Sequence, residues 1–291
     1  MKAAAFYIAL PFLYLLSLLP FWLFYGVADF FFVMMYYVMR YRRKVVMQNL
    51  KNSFPGKSEA ELKSIERTFY RYLCDLFLET FKTLTIPKSK MLERCKMGDA
   101  SLEVFKKYAR ENKSAIIVMG HYGNWEWAGN TFSLVCKQQL YVIYHPIVNK
   151  YFNGLMYYLR TRFGTKLISM RDTYKEMVNN KNEINATAFI ADQTPSPDNA
   201  YWTTFLNQDT PVFTGTEKIA RKMNYPVVYV SMRRPKRGHY EIHVETLFEH
   251  PQKTKDGEIS EAHTRKLEKE IIAQPEIWLW SHKRWKHKRK A

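Results

Sequence analysis

Past residue 57 the chain alternates two hydrophobic patterns: short apolar runs rich in Val and Ile, and longer stretches whose apolar positions recur every three or four residues. The short runs fit buried strands, and the three-and-four spacing fits helices with one face turned inward. This predicts strands near residues 115–119, 140–144, 166–169, 186–191, 226–232 and 239–246, and helices near 125–136, 150–162, 173–179, 215–223 and 259–273. The clearest helix covers 58–84: Ser58 and Glu61 form a capping box, and Leu62, Ile65, Phe69, Leu73, Leu76, Phe77, Phe81 and Leu84 share one face. Such alternation means an α/β domain on a mostly parallel sheet flanked by helices, with an antiparallel pair late in the chain. There is no internal repeat and no low-complexity linker.

The start of the chain follows another pattern. Between Ala3 and Met39 the only charged residue is Asp29. An apolar stretch this long exceeds the roughly 20 residues that cross a bilayer core, and is too long for the core of a cleavable signal. Residues 1–39 are therefore expected to form a membrane-anchoring helix, with residues 40–291 as the remaining domain. Pro11 and Pro20 leave open a bent span or a shallow re-entrant pair. Arg40, Arg42, Arg43 and Lys44 follow at once, which by the positive-inside bias places everything after residue 40 in the cytoplasm.

At 291 residues and 47% hydrophobic, the chain can bury one large core or two modest ones. Its 45 Lys and Arg against 27 Asp and Glu point to a polyanionic partner: nucleic acid, anionic lipid, or an acidic protein or phosphorylated substrate. The carboxyl end interleaves Trp278, Trp280 and Trp285 with Lys283, Arg284, Lys286, Lys288, Arg289 and Lys290. That mixture suits a headgroup layer, with indoles at the interface and cations on anionic lipid. It would also suit RNA, but the apolar amino-terminal segment favours lipid and argues against nucleic acid. Cys74, Cys95 and Cys136 are far apart and odd in number, which reads as buried thiols in a reducing compartment, with neither disulfide nor zinc spacing.

The chemistry concentrates at Ala115–Asn130, AIIVMGHYGNWEWAGN. His121 lies just past the carboxyl end of an expected strand, where open α/β sheets place reacting groups. Asn124 is placed to cap a helix starting near Trp125, whose first turn favours Glu126 as a carboxylate. An ionised partner could hold the imidazole of His121 in one tautomer, leaving it to take a proton from an alcohol near neutral pH. Tyr144, His145 and Pro146 follow the second strand and Asp192 and Gln193 the fourth, so both loops should open on the same sheet edge as His121. Arg160 and Arg162 could reach a phosphate.

These residues resemble the late acyltransferases of lipid A biosynthesis, a branch of the glycerolipid acyltransferase superfamily with its H-x4-D/E motif. The motif is His121 to Glu126 within GHYGNWE. The likeness extends through NLKNSFP at Asn49–Pro55, Tyr144–Pro146, Arg160–Gly164, ADQ at Ala191–Gln193, the FTGTEKIARK stretch and PEIWLWSHKRWK. Family members often have Tyr-Arg-Pro where this chain has Tyr144-His145-Pro146, so a permanent cation is missing there.

The resemblance implies transfer of a fatty acyl group from a thioester co-substrate, acyl carrier protein or coenzyme A, to a hydroxyl of a membrane glycolipid, with no bound cofactor or metal. It makes His121 the general base and Glu126 its orienting partner. Asn124, Tyr144, His145, Arg160, Arg162, Asp192 and Gln193 are then expected to bind substrate. Anionic membrane lipid and acyl carrier protein are the expected partners, and the cytoplasmic side of a bacterial inner membrane the location. The acceptor could instead be an aminolipid, an inositol mannoside or a lysophospholipid, and the aromatic Ala200–Phe205 stretch could line its pocket. A reading of another class is a non-enzymatic, membrane-anchored binder of RNA or anionic lipid.

Overall fold

The computed structural model describes residues 2–289, so Lys290 of the basic tail lies outside the described residues. Two apolar helices, α1 (Lys2–Leu18) and α2 (Phe21–Val33), come first, and α2 runs on through a wider π turn at Met34–Val38. The single apolar element expected for residues 1–39 is thus two helices. Pro11 is accommodated inside α1, whereas Pro20 marks the break, consistent with its lacking an N–H to continue the ladder.

Then come α3 (Arg43–Ser53), α4 (Glu59–Lys82), α5 (Lys88–Arg94), β1 (Cys95–Met97), α6 (Asp99–Arg110), β2 (Ala115–Met119) and α7 (Trp125–Val135). Next are β3 (Gln139–Tyr144), α8 (Lys150–Thr161), β4 (Lys166–Ser169), α9 (Thr173–Asn179), β5 (Asn185–Ile190), β6 (Tyr201–Phe205) and β7 (Gln208–Val212). The chain ends with α10 (Gly215–Met223), β8 (Val227–Lys236), β9 (His239–Phe248), α11 (Glu258–Ala273) and a short turn, Pro275–Ile277. Every expected strand and helix is present. Helix α4 starts on the capping box read from Ser58 and Glu61.

Seven strands form one sheet in the order β1-β9-β8-β2-β5-β3-β4. All neighbours are parallel except β8 and β9, the late antiparallel pair. Strand β2 sits at the centre, buried throughout. Its alternate side chains feed two cores: Ile116 and Val118 pack with α4, α11 and the carboxyl segment, Ile117 and Met119 with α6 and α7. Six elements gave no clear sequence signal: β1, α3, α5, α6 and the hairpin strands β6 and β7. β1 is only three residues long, and α3 and α6 are ordered by packing on the sheet and on α4. The Ala200–Phe205 stretch is β6 of a separate two-stranded hairpin with β7. Phe205 meets Trp278 edge-on and stacks on Trp285, so it joins the core, and the stretch does not line the pocket described below.

Candidate active site

In β2 and β5 the parallel register pairs Met119 with Ile190. Two residues further along each chain come His121 and Asp192, which are therefore level with each other past the sheet edge. The Ala191 N–H bonds the Met119 carbonyl at 3.0 Å, carrying the pairing past the strand end. His121 Nδ1 lies 2.6 Å from Asp192 Oδ1. An ionised carboxylate can only accept, so Nδ1 carries a proton and, in the neutral ring, Nε2 is the acceptor. The other carboxylate oxygen, Oδ2, accepts the His121 backbone N–H and the indole N–H of Trp278, both at 2.8 Å. Burial alone would raise the Asp192 pKa. The His121 ring and these N–H donors outweigh it and lower the value to about 2.

The carboxylate facing His121 is thus Asp192, where Glu126 was expected. Glu126 instead grips Arg160 in a two-pronged ion pair, with Nε to Oε2 at 3.0 Å and Nη2 to Oε1 at 2.6 Å. Helix position explains this: the first turn of α7 turns the Glu126 carboxylate toward α8, which carries Arg160. Asn124 does cap α7, its Oδ1 accepting from Trp127 N–H at 2.9 Å. Its Nδ2 donates to the buried Glu79 carboxylate at 2.8 Å, leaving the side chain fully buried and away from the pocket. Arg162 does not reach the pocket either. Its guanidinium donates to the carbonyls of Thr83 and, at 2.8 Å, Ile86, pinning the end of α8 to the α4–α5 connection. The remaining expected residues, Tyr144, His145, Arg160 and Gln193, stand together around the mouth with His121. The Gln193 amide is 3.5 Å from His121 Nε2.

The motif loop is clamped from several sides. Tyr72 on α4 donates to the Gly123 carbonyl at 2.7 Å, and Gly123 N–H bonds the Ile277 carbonyl at 2.9 Å. Gly123 has φ +65°, and a Cβ there would meet Met232 Cβ at 2.7 Å, so glycine is required both for conformation and for space. Trp125 meets the His121 ring edge-on, with centroids 4.9 Å apart.

From His121 a cavity of 240 Å³ runs between α7 and the sheet. Its walls are apolar: Ile117, Ala188, Val142, Val230 and Ile242 from five neighbouring strands, roofed by Ala128, Gly129 and Phe132 of α7. Most polar lining residues, among them His121, Glu126, His145, Arg160 and Gln193, gather past the strand ends, and Asn130 of α7 and Thr165 just before β4 add two more. A molecule with a hydrocarbon tail and a polar head fits such a lining.

The carboxyl segment belongs to the site, contrary to the expectation of interfacial indoles. Trp278 and Trp280 are 2% and 0% exposed, because their rings pack edge to face at 4.7 Å within the core and Trp278 supports Asp192. The cations after them face outward: Lys283, Lys286, Lys288 and Arg289 join Lys44 around a groove in which, among the described residues, Asp209 is the one acidic side chain. Arg284 is the exception, buried with one nitrogen donating to the Pro211 carbonyl at 2.7 Å. Trp278 gave no sequence signal as a site residue, since nothing local ties it to Asp192. Cys74 and Cys95 are buried and Cys136 is half-buried. Among the described residues no cluster of three or more His, Cys, Asp or Glu side chains is placed to hold a metal ion.

The model of the bacterial lipid A biosynthesis acyltransferase family matches residues 1–287. Two relatives are 24% identical over 254 residues, covering 85% of this chain and 80% of theirs: the lipid A biosynthesis palmitoleoyltransferase of Escherichia coli K12 and the lipid A biosynthesis acyltransferase of Shigella flexneri. With the match running across both apolar helices, the sheet and the tryptophan-bearing carboxyl segment, the chain belongs to the bacterial lipid A biosynthesis acyltransferase family.

Proposed function

We propose that this chain transfers a fatty acyl group from an acyl thioester, carried by acyl carrier protein or coenzyme A, to a hydroxyl of a lipid A precursor at the bacterial inner membrane, on its cytoplasmic side. The observation that carries the reading is His121, held by Asp192, at the edge of a mostly apolar cavity. The acyl chain lies in the cavity, and its thioester carbonyl stops beside His121.

Asp192 holds Nδ1–H, so Nε2 takes the proton from the acceptor hydroxyl as its oxygen attacks the thioester carbon. The carbonyl oxygen becomes an oxyanion, for which the Gln193 amide, 3.5 Å from His121 Nε2, supplies a donor. Collapse breaks the carbon–sulfur bond, and the departing thiolate takes the proton back from His121. The products are an ester and a thiol. Glu126 holds the Arg160 guanidinium at the mouth, where it meets the phosphate of the acceptor. The basic groove at the carboxyl segment suits the acidic surface of a carrier protein. Thr194, beside Gln193, donates to the Arg284 carbonyl at 2.6 Å and ties that groove to the mouth.

The test incubates purified enzyme with a lipid A precursor and either acyl donor, and reads the product by mass spectrometry. One added acyl group, absent with His121→Ala, is expected. If folded enzyme acylates an aminolipid, inositol mannoside or lysophospholipid and leaves the lipid A precursor untouched, the acceptor assigned here is wrong. If no lipid is acylated and the chain binds RNA or anionic lipid alike with and without His121, the enzymatic reading falls.

A further inference from the structure

Helices α1 and α2 take no part in the chemistry above, and one of them, with its π turn, is long and apolar enough to cross a membrane: Phe21–Val38. We propose that neither helix crosses. Both lie along the membrane surface, sunk into the leaflet that faces the catalytic domain, so the amino terminus and that domain share a side and the pocket mouth opens at lipid level.

The first observation is how α2 is held. It runs antiparallel along α4, as three polar contacts show: Tyr25 hydroxyl to Glu79 at 2.7 Å, Asp29 to Arg71 at 3.4 Å, and Tyr36 hydroxyl to Glu66 at 3.0 Å. As the α2 number climbs, the α4 number falls. Between these contacts Phe24, Ala28, Phe32 and Tyr36, four residues apart, are all buried. Asp29 also binds Arg237, which reaches Asp75 of α4 at 2.6 Å. If α2 crossed the bilayer, it would drag α4 with Glu66, Arg71, Asp75 and Glu79 into hydrocarbon, or tear these pairs apart.

The junction between the helices gives a second, independent argument. Pro20 ends the α1 ladder, and the freed carbonyls of Ser17 and Leu19 accept from the Lys82 ammonium at 2.6 and 2.5 Å. Thr85 adds a bond to the Ser17 carbonyl at 2.6 Å. This bend is fastened to the catalytic domain at its midpoint, where a spanning hairpin would need it free. Helix α1, at 17 residues, is about 26 Å long, short of the ~30 Å hydrocarbon core.

The opposite faces say what covers the pair. On α1, Tyr7, Ile8, Phe12 and Leu15 point outward, and on α2 Trp22 is 76% and Phe30 61% exposed. Apolar on both faces, each helix has protein on one side and suits acyl chains on the other. Arg40 and Arg42 follow directly, exposed at the level of anionic headgroups, while Arg43 turns back onto the buried Glu66 at 2.9 Å. The lipid face is continuous with the pocket. Phe6 of α1 stacks on Tyr151 of α8 at 5.7 Å, and Ile147, packed in the same cluster, also lines the cavity.

The inference rests on membrane attachment, not on the identity of the acyl acceptor. It is tested with the full chain carrying a hydrophilic, protease-cleavable epitope ahead of Met1, in inverted membrane vesicles and in spheroplasts, with acyl transfer assayed in the same preparations. Epitope and catalytic domain should both be digested in inverted vesicles and both be protected in spheroplasts. An epitope digested only from the side opposite the catalytic domain overturns the proposal. Spin labels at Phe12→Cys and Phe30→Cys should both report shallow depth in vesicles of anionic phospholipid, and a label at the bilayer centre also overturns it. Transfer lost with topology unchanged would count against the reaction alone.

Discussion

His121 Nδ1 and Asp192 Oδ1 stand 2.6 Å apart although 71 residues separate them in the chain. The contact follows from strand register, since β2 and β5 run parallel and in step to their last residues. It divides the work of two carboxylates that the H-x4-E spacing alone would give to one: Asp192 orients the imidazole, and Glu126 orients Arg160.

That division is tested by two conservative variants. Asp192→Asn keeps the shape but can present its amide to Nδ1, favouring the wrong tautomer, and should lower kcat by about 10²–10⁴-fold. Glu126→Gln should act mainly on KM for the phosphorylated lipid, because Arg160 loses its fixed direction while His121 keeps its partner. Steady-state kinetics on both variants settle the matter. The reverse ranking in kcat would return the orienting role to Glu126.

Trp278 should matter more to the reaction than to the fold. Trp278→Phe keeps an aromatic ring in the cluster but removes the N–H from Asp192 Oδ2. A hydrogen bond to a charged group is worth about 1.5–3 kcal/mol, so kcat should fall roughly tenfold or more and the acid limb of the pH–rate profile should move. A variant that melts lower but keeps kcat and pH profile would make Trp278 a packing residue only.

Gly129 lines the cavity and should set how much hydrocarbon it admits. A Cβ there would touch Leu140 Cδ2 at 3.8 Å, ordinary contact, so Gly129→Ala should fold normally. Gly129→Leu should fill part of the cavity and shift preference toward shorter acyl donors. With about 0.8 kcal/mol per buried methylene, each one excluded costs roughly fourfold in kcat/KM. Competition between long and short donors, read by product mass, checks this; an unchanged ratio would place the chain elsewhere.

The basic groove should distinguish the two donors. Reversing Lys286 and Lys288 to Glu places like charge against an acidic carrier protein. KM for the carrier-bound donor should rise about tenfold at low salt, with little change for the coenzyme A thioester. Equal effects on both would mean the groove does not read the carrier.

Stability should fall in acid mainly below pH 4. Burial lowers the His263 pKa to about 4, so its contribution is present above the ordinary 6.5 and is lost as pH falls from there to 4. Burial raises Glu270 to about 7, which acts oppositely: its contribution is present below 4.5 and lost as pH climbs to 7. The two offset each other between pH 4.5 and 6.5. Below pH 4 Asp192 decides, since its pKa of about 2 against an ordinary 3.8 means stability lost as pH falls from 4 to 2, on the order of 2 kcal/mol. Denaturant melts across this range should show a shallower acid limb for Asp192→Asn, and an unaltered limb would refute the assignment.

Local pattern was enough to place most of the elements, because a strand or a helix face is written in residues close together in the chain. Ala115–Met119, the Ser58 capping box and the three strand-end loops were all legible for that reason. Residue type and position also marked His121, and charge with hydropathy marked the membrane-seeking start. What only the tertiary structure decided are the partnerships. Asp192 meets His121 through the register of two distant strands, Glu126 meets Arg160 through the packing of α7 on α8, and Trp278 sinks into the core to hold Asp192. A hydrogen bond depends on angles and distances of a few ångströms between groups tens of residues apart. No spacing along the chain encodes that until the sheet has aligned its strands.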